Sequence, residues 1–241
     1  MKRVSLCLIL ALVAITGMSQ GIGNVKEGTS AQQNINAIIK LAPYSDGAVG
    51  FDTRYEGVKG SPRLFEKLLP SMLKVKGQDY YIKLETDLDL EHNSLLFIHP
   101  KTGKLLSIPS DIVIELIVTT EGDSDIYYRT TEGLRFEKEV KDIRFCQILS
   151  ESPLLFIKMP VKTLKEADYK GLYSADRPFD EYETKIRYYI SATDSVLHQV
   201  QLNRNSLIKL FPGKKEIIKK TIESGSFKND EEMVIAVLEK L

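Results

Sequence analysis

The chain contains no tryptophan, only three histidines and only two cysteines among its 241 residues. Cys7 lies in the apolar N-terminal stretch, so Cys146 alone remains for the folded body. One cysteine cannot form an intramolecular disulfide, and folding must rest on a hydrophobic core. A body of about 220 residues is long enough to supply one. Cys146 sits in the strand-like run Ile143 to Leu149, where a lone thiol reads as a small buried hydrophobe. His92, His99 and His198 form no HxH or HExxH pair, which excludes the familiar zinc spacings. From Gln20 onward there is no GxSxG, and in Gly60-Ser61-Pro62 the proline removes the N–H that a nucleophile elbow needs. Charge of one sign is lacking as well: 33 basic residues face 33 acidic ones, without the basic excess of a nucleic-acid binder. No catalytic, cofactor-binding or metal-ligating residue is therefore assigned, and no cofactor is expected.

What is present at the N-terminus has the three parts of an export signal. Lys2 and Arg3 are basic, Val4 to Ile15 is apolar, and Gly17-Met18-Ser19 supplies small residues before Gln20. The apolar run is shorter than the roughly 20 residues of a membrane span, and no second long run follows. These features predict cleavage after residue 19, export through the Sec pathway, and a periplasmic or extracellular location with no transmembrane span in the mature chain. Removing 19 of 241 residues leaves 222, with 31 basic against 33 acidic side chains.

The clearest structural signal runs from Tyr80 to Ile98. Ile82, Leu84, Leu88 and Leu90 alternate with Lys83, Glu85, Asp87, Asp89 and Glu91, the period of a strand with one buried face. A turn at His92-Asn93 then returns the chain as Leu95-Leu96-Phe97-Ile98, setting Leu90 against Leu95 and Leu88 against Phe97. Further strands are expected over 51–58, 72–76, 104–108, 111–120, 126–130, 143–149, 154–163, 184–191 and 196–203, giving about eleven. Hairpin-length turns join most of them and helical crossovers are lacking, so a parallel α/β sheet is disfavoured. The expected fold is mainly β: an antiparallel meander forming an open barrel, curved sheet or sandwich. A short helix precedes it, with Ile35, Ile38, Ile39 and Ala42 on one face and Pro43 as its stop. After residue 203 the period changes to helical, ending in a helix capped by Asn229 with Val234, Val237, Leu238 and Leu241 on one stripe. The chain thus divides into a signal peptide (1–19), an N-terminal segment with the short helix (20–50), an antiparallel β domain (51–203) and a C-terminal helical unit packed on it (204–241).

The conspicuous polar features have plain explanations. Glu85, Asp87, Asp89 and Glu91 form a carboxylate ladder, but same-face neighbours on a strand are about 6.6–6.8 Å apart. Calcium needs six to eight oxygens at about 2.3–2.6 Å, so the ladder reads as a solvated strand face. Tyr80-Tyr81, Tyr127-Tyr128 and Tyr188-Tyr189 each put one ring on either sheet face, as strand-favouring residues do. The lysines from 209 to 228 are interspersed with Glu216 and Glu223 and read as a wet helix face.

Three stretches carry a family resemblance: Gly57-Val58-Lys59-Gly60-Ser61-Pro62; Phe145 to Glu151 with Leu154-Leu155; and Asn205 to Pro212 with Lys219 to Ile222 and the helix from Asp230. In these the chain resembles a family of exported, β-rich proteins of unknown function common in Bacteroidetes-type Gram-negative bacteria. Arg63 departs from the aromatic that the family pattern places after Ser61-Pro62. The resemblance implies export and a β-rich body, and transfers no activity. Two non-enzymatic roles fit: a module holding an apolar ligand or lipid-bearing partner, or a docking component of a cell-envelope assembly. A secreted hydrolase is the third and least supported reading.

Overall fold

The computed structural model describes residues 31–45, 58–122, 124–167, 179–192 and 194–241. The leader and, apart from Val58, the first expected strand lie outside the described residues. Among the described residues helix α1 (Ala31–Leu41) comes first, ending at a 3₁₀ turn with Pro43. Ten strands follow: β1 (Leu69–Val75), β2 (Ile82–Asp89), β3 (Ser94–Ile98), β4 (Leu105–Pro109), β5 (Val113–Thr119), β6 (Asp125–Thr130), β7 (Phe145–Ser150), β8 (Phe156–Lys165), β9 (Glu181–Ser191) and β10 (Leu197–Val200). Helices α2 (Arg204–Leu210), α3 (Lys215–Ser224) and α4 (Asp230–Leu238) end the chain. Asn203 and Asn229 cap α2 and α4 by accepting the N–H of Ser206 and Glu232. Among the described residues no helix is long and apolar enough to cross a membrane.

All ten strands belong to one open antiparallel sheet, in the order β10-β9-β8-β7-β6-β5-β1-β2-β3-β4. The meander is broken once, where β5 returns to pair with the free side of β1. In a flat sheet β4 and β5 would lie about 19 Å apart, four strand spacings. The chain from Pro109 to Val113 reaches at most about 14 Å, and a 3₁₀ turn at Ser110–Ile112 spans it. The sheet must therefore curl, and it curls around α1. Ala37, Ile38 and Leu41 pack into one core with Leu73, Ile82, Leu88, Leu95, Phe97, Ile108, Leu116 and Phe145.

The β2–β3 hairpin corrects one expectation. Leu88 opposes Leu95 and Thr86 opposes Phe97, two residues from the register the short turn implied. The cause is Asp89, whose carboxylate accepts the N–H groups of Glu91 and His92 and so lengthens the turn. Asn93, at φ 51°, completes it in the left-handed region that asparagine tolerates. A slip of two preserves which face each side chain takes, so the apolar face is unchanged.

The second half of the sheet is covered on both sides. On one, Phe156, Ile190 and Val200 meet Leu207 of α2, Ile218 of α3 and Val234, Val237 and Leu238 of α4. On the other, Cys146, Ile157, Met159, Tyr189 and Leu197 lie under Leu134, Phe136 and Val140 from the β6–β7 connection. That connection also closes the β10 edge: Leu197 donates its N–H to Arg135 at 2.7 Å and accepts that of Glu137 at 3.0 Å.

Candidate binding surface

Strand register places one row of side chains across eight strands. Ile82 pairs with Leu73, Leu73 with Leu116 and Leu116 with Tyr128. Tyr128 pairs in turn with Gln147, Gln147 with Lys158, Lys158 with Tyr188 and Tyr188 with Val200. Paired residues share a sheet face, so α1 and the C-terminal helices cover opposite ends of the same face. The ends of the row are apolar and its middle is polar.

The polar middle is tied to α4. Glu231 accepts a hydrogen bond from the Tyr188 hydroxyl at 2.7 Å and lies 2.9 Å from the Lys158 ammonium. Burial, followed by the bond to Glu231, raises the Tyr188 pKa. Tyr128, buried against Phe65 in an edge-to-face contact, is also raised, by burial and then by the charge of Asp87. Neither phenol is poised to give up a proton near neutrality.

A second polar arrangement forms where the chain from Val58 to Phe65 straps two distant strands together. At one end Lys59 donates to Asp180 and accepts from Tyr182, making a parallel bridge to β9. At the other, Leu64 donates to Leu88 while Pro62 accepts from Leu90, making an antiparallel contact with β2. Gly60, at φ 84°, takes a conformation that suits glycine, and a side chain there would also meet Tyr182. Lys162 of β8 donates to the carbonyls of Ser61 at 2.9 Å and Arg63 at 2.6 Å. The Tyr182 hydroxyl adds a bond to Glu91 at 2.7 Å.

Asp87 anchors the strap and corrects the reading of the carboxylate ladder. It is fully buried, accepting from Arg63 Nε at 2.8 Å and from the Phe65 N–H at 3.0 Å. Burial raises its carboxyl above the ordinary range, and the N–H groups of Phe65 and Leu88 with the Arg63 guanidinium only partly offset this. Asp89 holds the turn and Glu91 accepts from Tyr182 of β9, so of the four carboxylates only Glu85 is solvated as the alternation implied. Nothing in the alternating pattern distinguishes Asp87 from Glu85. The difference comes from Arg63 and Phe65, more than 20 positions away.

The three histidines lie apart. His92 contacts Asp89, His99 accepts two N–H groups of its own turn, and His198 on β10 faces Glu137 at 3.3 Å. Among the described residues no group of three or more His, Cys, Asp and Glu side chains is placed to hold a metal ion. Cys146 is fully buried, and burial pushes its thiol up to about 12. Tyr127-Tyr128 and Tyr188-Tyr189 split across the sheet, whereas Tyr80 lies in the bend before β2; both members of the third pair are engaged, Tyr188 by Glu231 and Tyr189 edge-on against Phe136. Among the described residues, one surface groove of about 470 Å³ is lined by Arg204, Glu216, Lys219, Lys220 and Glu223. Another, about 450 Å³, lies along Thr131, Leu134, Phe136 and Glu137.

No protein-family model matches the chain, and no curated protein or solved structure matches it either.

Proposed function

We propose that this protein is a non-enzymatic docking module of a cell-envelope assembly. One observation carries the reading: both apolar ends of the long sheet face are filled by helices of the same chain. An apolar ligand would lie on that face, so α1 and α2–α4 occupy its place. Docking is thus preferred to ligand carriage. The polar residues that remain are committed to ties within the chain, Asp87 to the strap and Glu231 to the sheet.

Export rests on the leader pattern at Lys2-Arg3, Val4 to Ile15 and Gly17 to Ser19. N-terminal sequencing of the protein taken from its cells should begin at Gln20. Native mass spectrometry of the same material tests the role. A stoichiometric complex with another envelope protein is the expected result. A tightly held lipid on an otherwise solitary chain would overturn docking in favour of carriage.

A further inference from the structure

We infer that β9 carries a strand-addition site between Glu183 and Arg187, which takes an extended partner segment alternating acidic and apolar residues. This rests on the docking reading and says where and how the partner binds.

The argument begins with the β8–β9 ladder. Ser191 donates its N–H to Leu155, which fixes residues 191, 189, 187, 185 and 183 as those bonded to β8. The alternate residues 190, 188, 186, 184 and 182 then point their N–H and C=O groups to the other edge. There β10 takes 190 and 188, and Lys59 takes Tyr182. Thr184 and Ile186 are left between them, facing outward with no strand beside them among the described residues. Their neighbours show the same opening in the side chains. Thr184, Lys185, Ile186 and Arg187 are exposed in succession, on both faces, and Ile186 is 48% exposed. No other strand among the described residues has such a run.

Elsewhere on this side the chain's own backbone engages Leu197 of β10, through residues 135–137, and Tyr182 at the far end of β9, through Lys59. The remaining window is five residues, about 17 Å, the length of a typical strand. An edge left bare in this way is a template for another chain. Because both ends are blocked, a guest can bond only to Thr184 and Ile186, which fixes its register.

Charge selects the guest. On the face of Glu183, Lys185 and Arg187, Glu183 is already flanked by Lys165 at 3.7 Å and Lys185 at 3.3 Å. Arg187 has no ion pair among the described residues. A guest carboxylate opposite Arg187 would complete it, while guest residues on the other face would lie beside Ile186. Alternating acidic and apolar residues meet both needs.

The test uses the full chain and an acetylated hexapeptide alternating glutamate and valine, read by amide hydrogen exchange. At millimolar peptide, exchange at Thr184 and Ile186 should slow at least tenfold, with Lys185 and Arg187 unaffected because they already bond to β8. Ile186→Pro removes an outward N–H without touching the β8 ladder and should abolish the protection. Arg187→Glu should weaken the glutamate peptide at least fivefold and favour a lysine–valine peptide instead, which keeps the test decisive should the proline variant misfold. Absent protection, protection that survives both substitutions, or equal binding of the two peptides would overturn the inference. So would protection that rises with protein concentration alone, which would assign the edge to a second copy of this chain. A partner that persists on Ile186→Pro in native mass spectrometry would sink this site and leave the docking reading standing.

Discussion

The two halves of the sheet solve the same problem in different ways. From β1 to β5 the sheet curls around α1, and one interior serves these five strands and also takes Tyr128 of β6 and Phe145 of β7. From β7 to β10 it stays layered, with helices on one face and the β6–β7 connection on the other. The sequence differs accordingly. In the curled half, β2 alternates and Glu85 reaches water. In the layered half, Phe156 and Ile157 are both fully buried although they point in opposite directions. A strand needs alternation only where one of its faces is wet, which is why Cys146 and Tyr189 are buried on the side away from the helices.

The largest effects should show whether these halves are one cooperative unit. Phe156→Ala in the layered half should cost about 3–5 kcal/mol, and Leu116→Ala in the curled half about 2–5 kcal/mol. Because a single row of paired residues joins them, urea unfolding should remain one transition in both variants. Two separated transitions would show that the halves unfold independently.

The strap comes next. Arg63→Ala leaves a buried carboxylate with only its backbone donors and should cost about 1–3 kcal/mol. Asp87 also gives the fold a pH dependence of known sign. Its folded pKa lies above the ordinary 3.8, so its contribution is full below about that value and is lost as pH rises through the raised folded value. Urea midpoints compared between pH 3 and pH 7 should therefore fall less, or rise more, in Asp87→Asn than in the native protein. Identical pH profiles would show that Asp87 does not titrate in this way.

Cys146→Ala should cost on the order of 1 kcal/mol. In the native protein the thiol should react with a labelling reagent far more slowly than in the urea-unfolded chain, since it is buried and titrates only at about 12. Equal rates would show that the covering of that face is not closed. The smallest effect belongs to Arg204→Ala, which removes a surface pair with Glu223 and should change stability by about 0.5 kcal/mol or less.

Much of this architecture is legible locally. Each strand expected from Met72 onward has its counterpart, because period-two patterning and turn residues act within a few positions. The caps at Asn203 and Asn229 rest on equally local bonds, of which the second is readable in the residues that follow it. The strand order is different. Nothing within β5 indicates that it pairs with β1 rather than only with its sequence neighbours. Asp87 and Glu231 were legible as a strand carboxylate and a first-turn acid, but their partners Arg63 and Lys158 are set by tertiary approach. The free edge of β9 is likewise invisible until the ladder fixes which N–H groups point outward.

The strap also has a meaning in time. Its hydrogen bonds span the longest separations among the described residues: Tyr182 to Lys59 crosses 123 positions and Lys162 to Ser61 crosses 101. In a chain delivered N-terminus first, β1 to β4 can pair as soon as they emerge, and β5 to β10 can then add one strand at a time. Residues 58–65 must wait for β8 and β9 before their carbonyls and N–H groups are fully bonded. Contacts across such distances carry the largest loop-closure cost and form late. The strap is thus the clasp fastened after the garment is on, and its amides should be among the last to gain protection during refolding.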